Sequence, residues 1–257
     1  MELDGRPVTT DELAGLGLYN YGHFTSMRID HGRVRGLSLH LRRLVNDCRT
    51  LFDADIDPET VRKLVRRVSA DSSAVVRVTV FAPHLELGRP GRAVEPHLLV
   101  TARSAADHEL PPLRLRSIRY QRELPQVKHV GLFGTIRHRR AAQLGGFDDV
   151  LFVDDQARIS EGATWNIAFV DGDRLVWPDS ECLPGVTMRL LRALGRPEST
   201  TAEVDLAFAA GMRAAFVTNA AVGVRPVRLI DDVRYDQYAE LIRDLREAYA
   251  AVPGEDL

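Results

Sequence analysis

A mixed α/β (α+β) chain in two domains is what this sequence predicts, and three observations predict it. Stretches with apolar residues at helical spacing alternate with short apolar runs bounded by Pro and Gly, the pattern of helices interleaved with strands. The 257 residues suffice for one large domain or two small ones sharing an interface. An extended, proline-marked segment over 119–127 then serves as a connection, leaving a first domain at 1–118 and a second at 128–257.

Residues 2–28 mix short apolar and polar groups with glycines at 5, 15, 17 and 22, which predicts short strands joined by turns. GLGLYNYG lacks the GxGxxG spacing, so a dinucleotide fingerprint is rejected. His31 and Gly32 fit a hairpin turn. Leu37, Leu41, Leu44, Cys48 and Leu51 recur at spacings of four and three, predicting a helix that Ser38 could open, with His40 at the margin of the apolar stripe and Arg43 to one side. Asp57, Pro58 and Glu59 signal a second helix with Val61, Leu64, Val65 and Val68 on one face. Strands are expected at 74–81, 97–102 and 113–118.

In the second half, Phe133, Ile136, Ala141 and Leu144 predict a helix ending at Gly145 and Gly146. Antiparallel strands are expected at 150–153, 165–170 and 174–177, the last two joined by Asp171-Gly172. A helix over 186–194 closes at Gly195, a strand over 214–217 meets Thr218, and a C-terminal helix over 235–249 turns Tyr238, Leu241, Ile242 and Leu245 inward.

Composition narrows the function. A formal charge of -2 argues against a nucleic-acid binder, since such domains carry a basic excess, and RHRR at 137–140 reads as a solvated helix face. Cys48 and Cys182 share no metal-type spacing with each other or with His, so no metal site is expected and both read as thiols of a reducing compartment. No run approaches the ~20 apolar residues of a membrane span, and no secretory h-region is seen, so a cytoplasmic location is expected.

Of 34 basic residues only Lys63 and Lys128 are lysines. An amine can lose its proton and attack a carbonyl, which a guanidinium cannot do, so a lysine surviving among arginines is a candidate for that chemistry. Lys63 lies among arginines on the polar side of a helix and is ordinary. Lys128 stands between Leu124-Pro125 and a glycine-containing turn, where a side chain can be aimed into a cleft. LPGVTMRLLRALG offers a second site, because the backbone N–H groups of Val186 and Thr187 open a helix and an unsatisfied helix N-terminus attracts an anion. Thr187 fits a helix cap as well, and the two roles are compatible.

Lys128 with the helical run after it, ISEGATWNI, LPGVTM and VTNA, together with YGHFTSMR and HLRRL further back, resemble the class IV aminotransferases, the fold-type IV pyridoxal-phosphate enzymes that include branched-chain and D-amino acid aminotransferases and aminodeoxychorismate lyase. The likeness covers most of the chain and rests on the order and spacing of the pieces. It implies a two-domain fold of that type, pyridoxal 5′-phosphate as cofactor, small amino acids and 2-keto acids as substrates, and a homodimer. It further implies that Lys128 holds the cofactor aldehyde and moves the substrate proton, that Glu161 keeps the pyridine nitrogen protonated, and that Arg43, Val186, Thr187 and Thr218 bind the phosphate.

The chain also departs from the family pattern. Phe133 stands where branched-chain enzymes usually carry Tyr, an Asn common in that stretch is missing, and Thr25 replaces a frequent Glu. With His23 and Asn219, these residues are the candidates for the substrate wall. Transamination is the expected reaction. A lyase releasing pyruvate is the alternative, favoured by Lys128-His129, Phe24-Thr25 and Thr218-Asn219-Ala220, and a non-catalytic descendant is a third reading.

Overall fold

The computed structural model describes residues 1–69, 73–105, 110–237 and 240–257. The chain forms two compact units, one of residues 1–106, 127–131 and 253–257, the other of 107–126 and 132–252. The expected division at 118 and 128 differs from this in detail. The strand at 113–119 pairs with strands of the second unit, whereas the short stretch holding Lys128 belongs to the first.

The first unit contains β1 (Glu2–Leu3), β2 (Arg6–Pro7), α1 (Thr10–Tyr19), β3 (His23–Asp30), β4 (Arg33–Val34), α2 (Leu37–Phe52), α3 (Pro58–Val68), β5 (Ala74–Phe81) and β6 (His97–Ser104). With the C-terminal strand Glu255–Asp256 they make a seven-stranded sheet, ordered from that strand through β4, β3, β5, β6 and β1 to β2. On one face Met27, Ile29, Val76, Val78 and Val100 pack against Leu37, Leu41, Leu44 and Cys48 of α2 and Val61, Leu64 and Val65 of α3, at the spacings read from the sequence. Asp57 caps α3 by accepting from the Glu59 and Thr60 N–H groups. The β3–β4 turn uses His31 and Gly32 at φ of 50° and 73°, as a two-residue hairpin requires. Helix α1 corrects the expectation of strands alone over 2–28. Thr9 and Glu12 form a reciprocal capping box that opens a helix running through Gly15 and Gly17. For α2, Gly36 rather than Ser38 is the N-terminal cap.

The second unit contains β7 (Leu113–Arg119), α4 (Phe133–Leu144), β8 (Asp149–Val153), β9 (Ile159–Gly162), β10 (Asn166–Asp171), β11 (Arg174–Pro178), α5 (Val186–Ala193), β12 (Ser199–Ala202), α6 (Leu206–Ala210), β13 (Ala214–Asn219), β14 (Gly223–Ile230), β15 (Val233–Arg234) and α7 (Glu240–Ala251). Strands β10, β13, β14, β7, β8 and β9 follow one another in hydrogen-bonded order, and β9 pairs back onto β10, so the sheet closes into a ring. Ile167, Phe169, Ala215 and Val217 belong to one core, while Ala168, Val170, Ala214 and Phe216 alternate with them and pack with Met188 and Leu191 of α5 and Ile242 and Leu245 of α7. Burial on both faces explains why these strands read as unbroken apolar runs.

Here too the structure amends the sequence reading. Strands β10 and β11 form the expected antiparallel hairpin, but β8 runs parallel to β7 and antiparallel to β9. Helix α7 is described from Glu240, with Tyr235 buried ahead of it in the core shared with Phe169, and Tyr238 lies outside the described residues. Among the described residues no helix is long and apolar enough to cross a membrane.

Candidate active site

In the first unit, Lys128 is held by its backbone. Its N–H donates to Asp47 Oδ2 at 3.1 Å, its carbonyl accepts from the Phe24 N–H at 2.8 Å, and the Val130 N–H donates to the Gly22 carbonyl at 2.9 Å. The segment thereby lies alongside the start of β3, with an isolated bridge between His23 and His129. Gly22 itself lies hard against β5, where a Cβ would stand 2.5 Å from the Val80 carbonyl oxygen. The half-buried Lys128 side chain places Nζ 4.9 Å from the centroid of the Phe24 ring, and the Arg77 guanidinium lies 3.6 Å from that same centroid. Burial pulls the pKa of Arg77 below its ordinary value.

Successive β3 residues point to opposite faces, so His23 and Thr25 lie on the helix side of the sheet, and both are fully buried. Thr25 Oγ1 sits 2.5 Å from Arg43 Nη2 and 2.7 Å from His40 Nδ1, which joins Thr25 and Arg43 in one cluster with a histidine that the sequence places at the margin of the apolar stripe of α2. His23 packs against Phe52, and burial, helped by the Arg43 charge, lowers its pKa to about 3. His40 is held well below the usual histidine range by burial and by the charges of Arg43 and Lys128.

In the second unit, strand register assembles Glu161, Asn166 and Thr218 into one cross-strand row over β9, β10 and β13, with their side chains on a common face. Glu161 Oε1 accepts from Arg122 Nε at 2.7 Å and Oε2 from the Leu183 N–H at 3.1 Å. Arg122 and Glu161 are 9% and 8% exposed, a buried ion pair that fixes the carboxylate. Asn166 donates to the Leu183 carbonyl at 2.8 Å, and a Cβ on Gly185 would stand 2.1 Å from Asn166 Oδ1. These contacts fasten the start of α5 beside the row. Gly185 caps α5 without a side-chain hydrogen bond, and Thr187 Oγ1 lies 3.3 Å from the Tyr249 hydroxyl. The buried Thr218 Oγ1 has no hydrogen-bond partner among the described residues. Burial and Glu161 push the neighbouring Cys182 thiol up to about 12, so it stays uncharged.

Two further candidates lie apart from that row. Phe133, the first residue of α4, is 83% exposed. Asn219 Oδ1 accepts from the N–H groups of Ala221 and Val222, closing the turn into β14. Sequence reasoning missed Arg122 and Asn166. Nothing distinguishes Arg122 among so many arginines, but Asn166, a polar residue opening a buried strand, was a usable signal.

An amine on one unit, and an acid beside an uncapped helix start on the other, call for comparison with known proteins. The model of the family described as amino-transferase class IV matches residues 22–230, most of the chain. The chain belongs to this family. Class IV aminotransferases are pyridoxal-phosphate enzymes, and within the second unit the buried Thr218 hydroxyl and the open start of α5 suit the phosphate of that cofactor. Solved class IV structures share the fold at low identity. A branched-chain aminotransferase from the thermophilic archaeon Thermoproteus uzoniensis, with norvaline, superposes with a TM-score of 0.87 at 18% identity, covering 97% of this chain and 92% of the other. A hypothetical aminotransferase from Mycobacterium tuberculosis in a PLP-bound form gives 0.79 at 18% identity, over 96% and 94%. A provisionally assigned 4-amino-4-deoxychorismate lyase from Legionella pneumophila gives 0.81 at 20% identity, over 96% of each chain. Among curated protein sequences there is no match.

Proposed function

We propose that this class IV enzyme transfers an amino group between a small amino acid and a 2-keto acid, with Lys128, Arg43, Glu161, Val186, Thr187 and Thr218 as its site residues. The observation that carries this reading is the row Glu161, Asn166, Thr218 beside the start of α5, where one rigid frame holds an acid and a group of anion donors. Two strand spacings separate the ends of the row, about 10 Å, the order of length of a pyridine ring with a phosphate arm.

When bound, pyridoxal phosphate supplies an electron sink for negative charge at the substrate α-carbon. Glu161, gripped by Arg122 and the Leu183 N–H, holds the proton on the pyridine nitrogen. Thr218, the first N–H groups of α5 and Arg43 orient the phosphate. Lys128 would hold the cofactor and serve as the base that moves the substrate α-proton, the transfer that transamination needs.

Phe133, which has no hydroxyl, and Thr25, where many transaminases carry a carboxylate, favour a second reading as a lyase that releases pyruvate. The test is a half-reaction without keto acid, using L- and D-amino acids and following the aldehyde-to-amine change of the cofactor spectrum, with borohydride labelling to identify the lysine. Conversion and a label on the Lys128 peptide are expected. No conversion with any amino acid, together with pyruvate release from aminodeoxychorismate, transfers the assignment to the lyase. We also infer a homodimer, supported by Phe133 and Ile136, which are 83% and 59% exposed on α4. A fully active species sedimenting at the monomer mass of 28.7 kDa would exclude it.

A further inference from the structure

We propose that Thr25 and His40 are positioning residues for Arg43: the Thr25 hydroxyl, oriented by His40, holds the guanidinium in the rotamer that meets the cofactor phosphate. The inference rests on the reading of Arg43 as a phosphate ligand. It adds two buried residues, on β3 and α2, that act only through Arg43.

Hydrogen-bond chemistry fixes the direction of each contact. A guanidinium only donates, so Arg43 Nη2 donates to Thr25 Oγ1 at 2.5 Å, and His40 Nδ1, 3.3 Å from the same Nη2, can only be an acceptor there. The imidazole proton therefore resides on Nε2. With Nδ1 an acceptor, the remaining contact at 2.7 Å is satisfied by the Thr25 O–H donating to it. The order is thus Arg43 to Thr25 to His40, and the threonine uses both its lone pair and its proton.

Surroundings enforce this state. Thr25 and His40 have 0% exposure, so no water competes for the hydroxyl. The titratable groups facing the cluster are His23 on β3, kept neutral by burial, Arg43 on α2, and Lys128 on the segment beside β3; both cations disfavour an imidazolium at position 40. A charged His40 would turn Nδ1 into a donor aimed at Arg43, and the chain would break. Neutral His40 lets Thr25 pin Nη2, which stops rotation of the guanidinium plane and sets the direction of its remaining donors. An arginine held this way loses less side-chain freedom when an anion arrives, worth about 3- to 10-fold in affinity.

The deciding experiment compares binding of pyridoxal 5′-phosphate and of pyridoxal, which lacks the phosphate, to the apo form of the full chain. Thr25→Val, nearly isosteric but without the hydroxyl, should weaken the phosphorylated ligand about 3- to 10-fold and leave pyridoxal unchanged, and Thr25→Ser should restore the parent value. In the Arg43→Ala background Thr25→Val should have no further effect. Equal weakening of both ligands by Thr25→Val overturns the proposal. If Arg43→Ala removes the preference for the phosphorylated ligand while Thr25→Val leaves it intact, the proposal fails and the phosphate role of Arg43 survives. If Arg43→Ala leaves the preference intact, that role fails and takes the proposal with it. Should Thr25→Val not fold, nitrogen NMR of His40 in the parent protein decides: an unprotonated Nδ1 is expected, and a proton on Nδ1 overturns the proposal.

Discussion

The unit that carries Lys128 and the unit that carries Glu161 secure these two residues by different means. Lys128 is fixed through its backbone by Asp47 and Phe24, with the Val130 N–H on the Gly22 carbonyl two residues on, and its side chain is half-buried. Glu161 is fixed through its carboxylate, by a buried arginine and a backbone N–H, on a strand that closes a ring. The difference fits the roles proposed for the two residues. In the proposed mechanism the amine moves a proton, for which a segment fixed by its backbone gives a steady base, whereas an acid that holds a proton on a ring nitrogen serves best when its oxygens cannot drift.

Removing each group from the apo protein tests this contrast most strongly. Glu161→Ala leaves the Arg122 guanidinium buried without its carboxylate, and the second unit should lose about 3–5 kcal/mol. Lys128→Ala should cost the first unit less than about 1 kcal/mol, since the backbone contacts that place the segment remain. Hydrogen exchange, read separately on β3 and β10, gives both values. Similar losses from the two substitutions would erase the distinction.

A smaller effect sharpens the comparison by pH. His23 and His40 both belong to the first unit, and both have folded pKa values depressed from the 6.5 of a free histidine, His23 to about 3. Below 6.5 the unfolded chain binds protons that the folded unit refuses, so stability falls with falling pH. Each histidine adds a slope of about 1.4 kcal/mol per pH unit until it protonates in the folded state, near 3 for His23. Acid should therefore open β3 before β10, and His23→Leu should remove one histidine's share of the slope in the first unit. An unchanged slope in that variant would show that His23 is not the titrating group.

Much of the first unit is legible in the sequence because its signals are local. The α2 and α3 stripes, the Asp57 cap and the His31-Gly32 turn each lie within a few residues of what they specify. Helix α1 shows the limit of reading composition first, for its glycines suggested turns while Thr9 and Glu12 already spelled a capping box. Lys128's neighbours, in the first unit, and the ISEG and LPGVT motifs, in the second, pointed to chemistry but not to architecture. Glu161 lies inside a four-residue strand too short to carry a periodic signal, and its partner Arg122 is 39 residues away in a chain rich in arginine. Long-range pairing decides both, and neither leaves a local mark. Thr25 is the instructive middle case. Its departure from the family pattern was visible, but only its distance to His40 and Arg43 reveals what a hydroxyl can do there.

Closure of the ring through the single pair Glu161 and Asn166 has a consequence for how the enzyme matures. Strands β10 and β13, and β14 and β7, are brought together across long stretches of chain, so the ring is a late and slow product of folding. Until β13 pairs with β10, Thr218 does not share a frame with the acid and the start of α5, which are already tied together through Leu183. A ligand that needs all three recognises only the finished ring and draws the folding equilibrium toward it by mass action. Cofactor supply would then govern how long the second unit survives in the cell, as well as how fast the enzyme turns over.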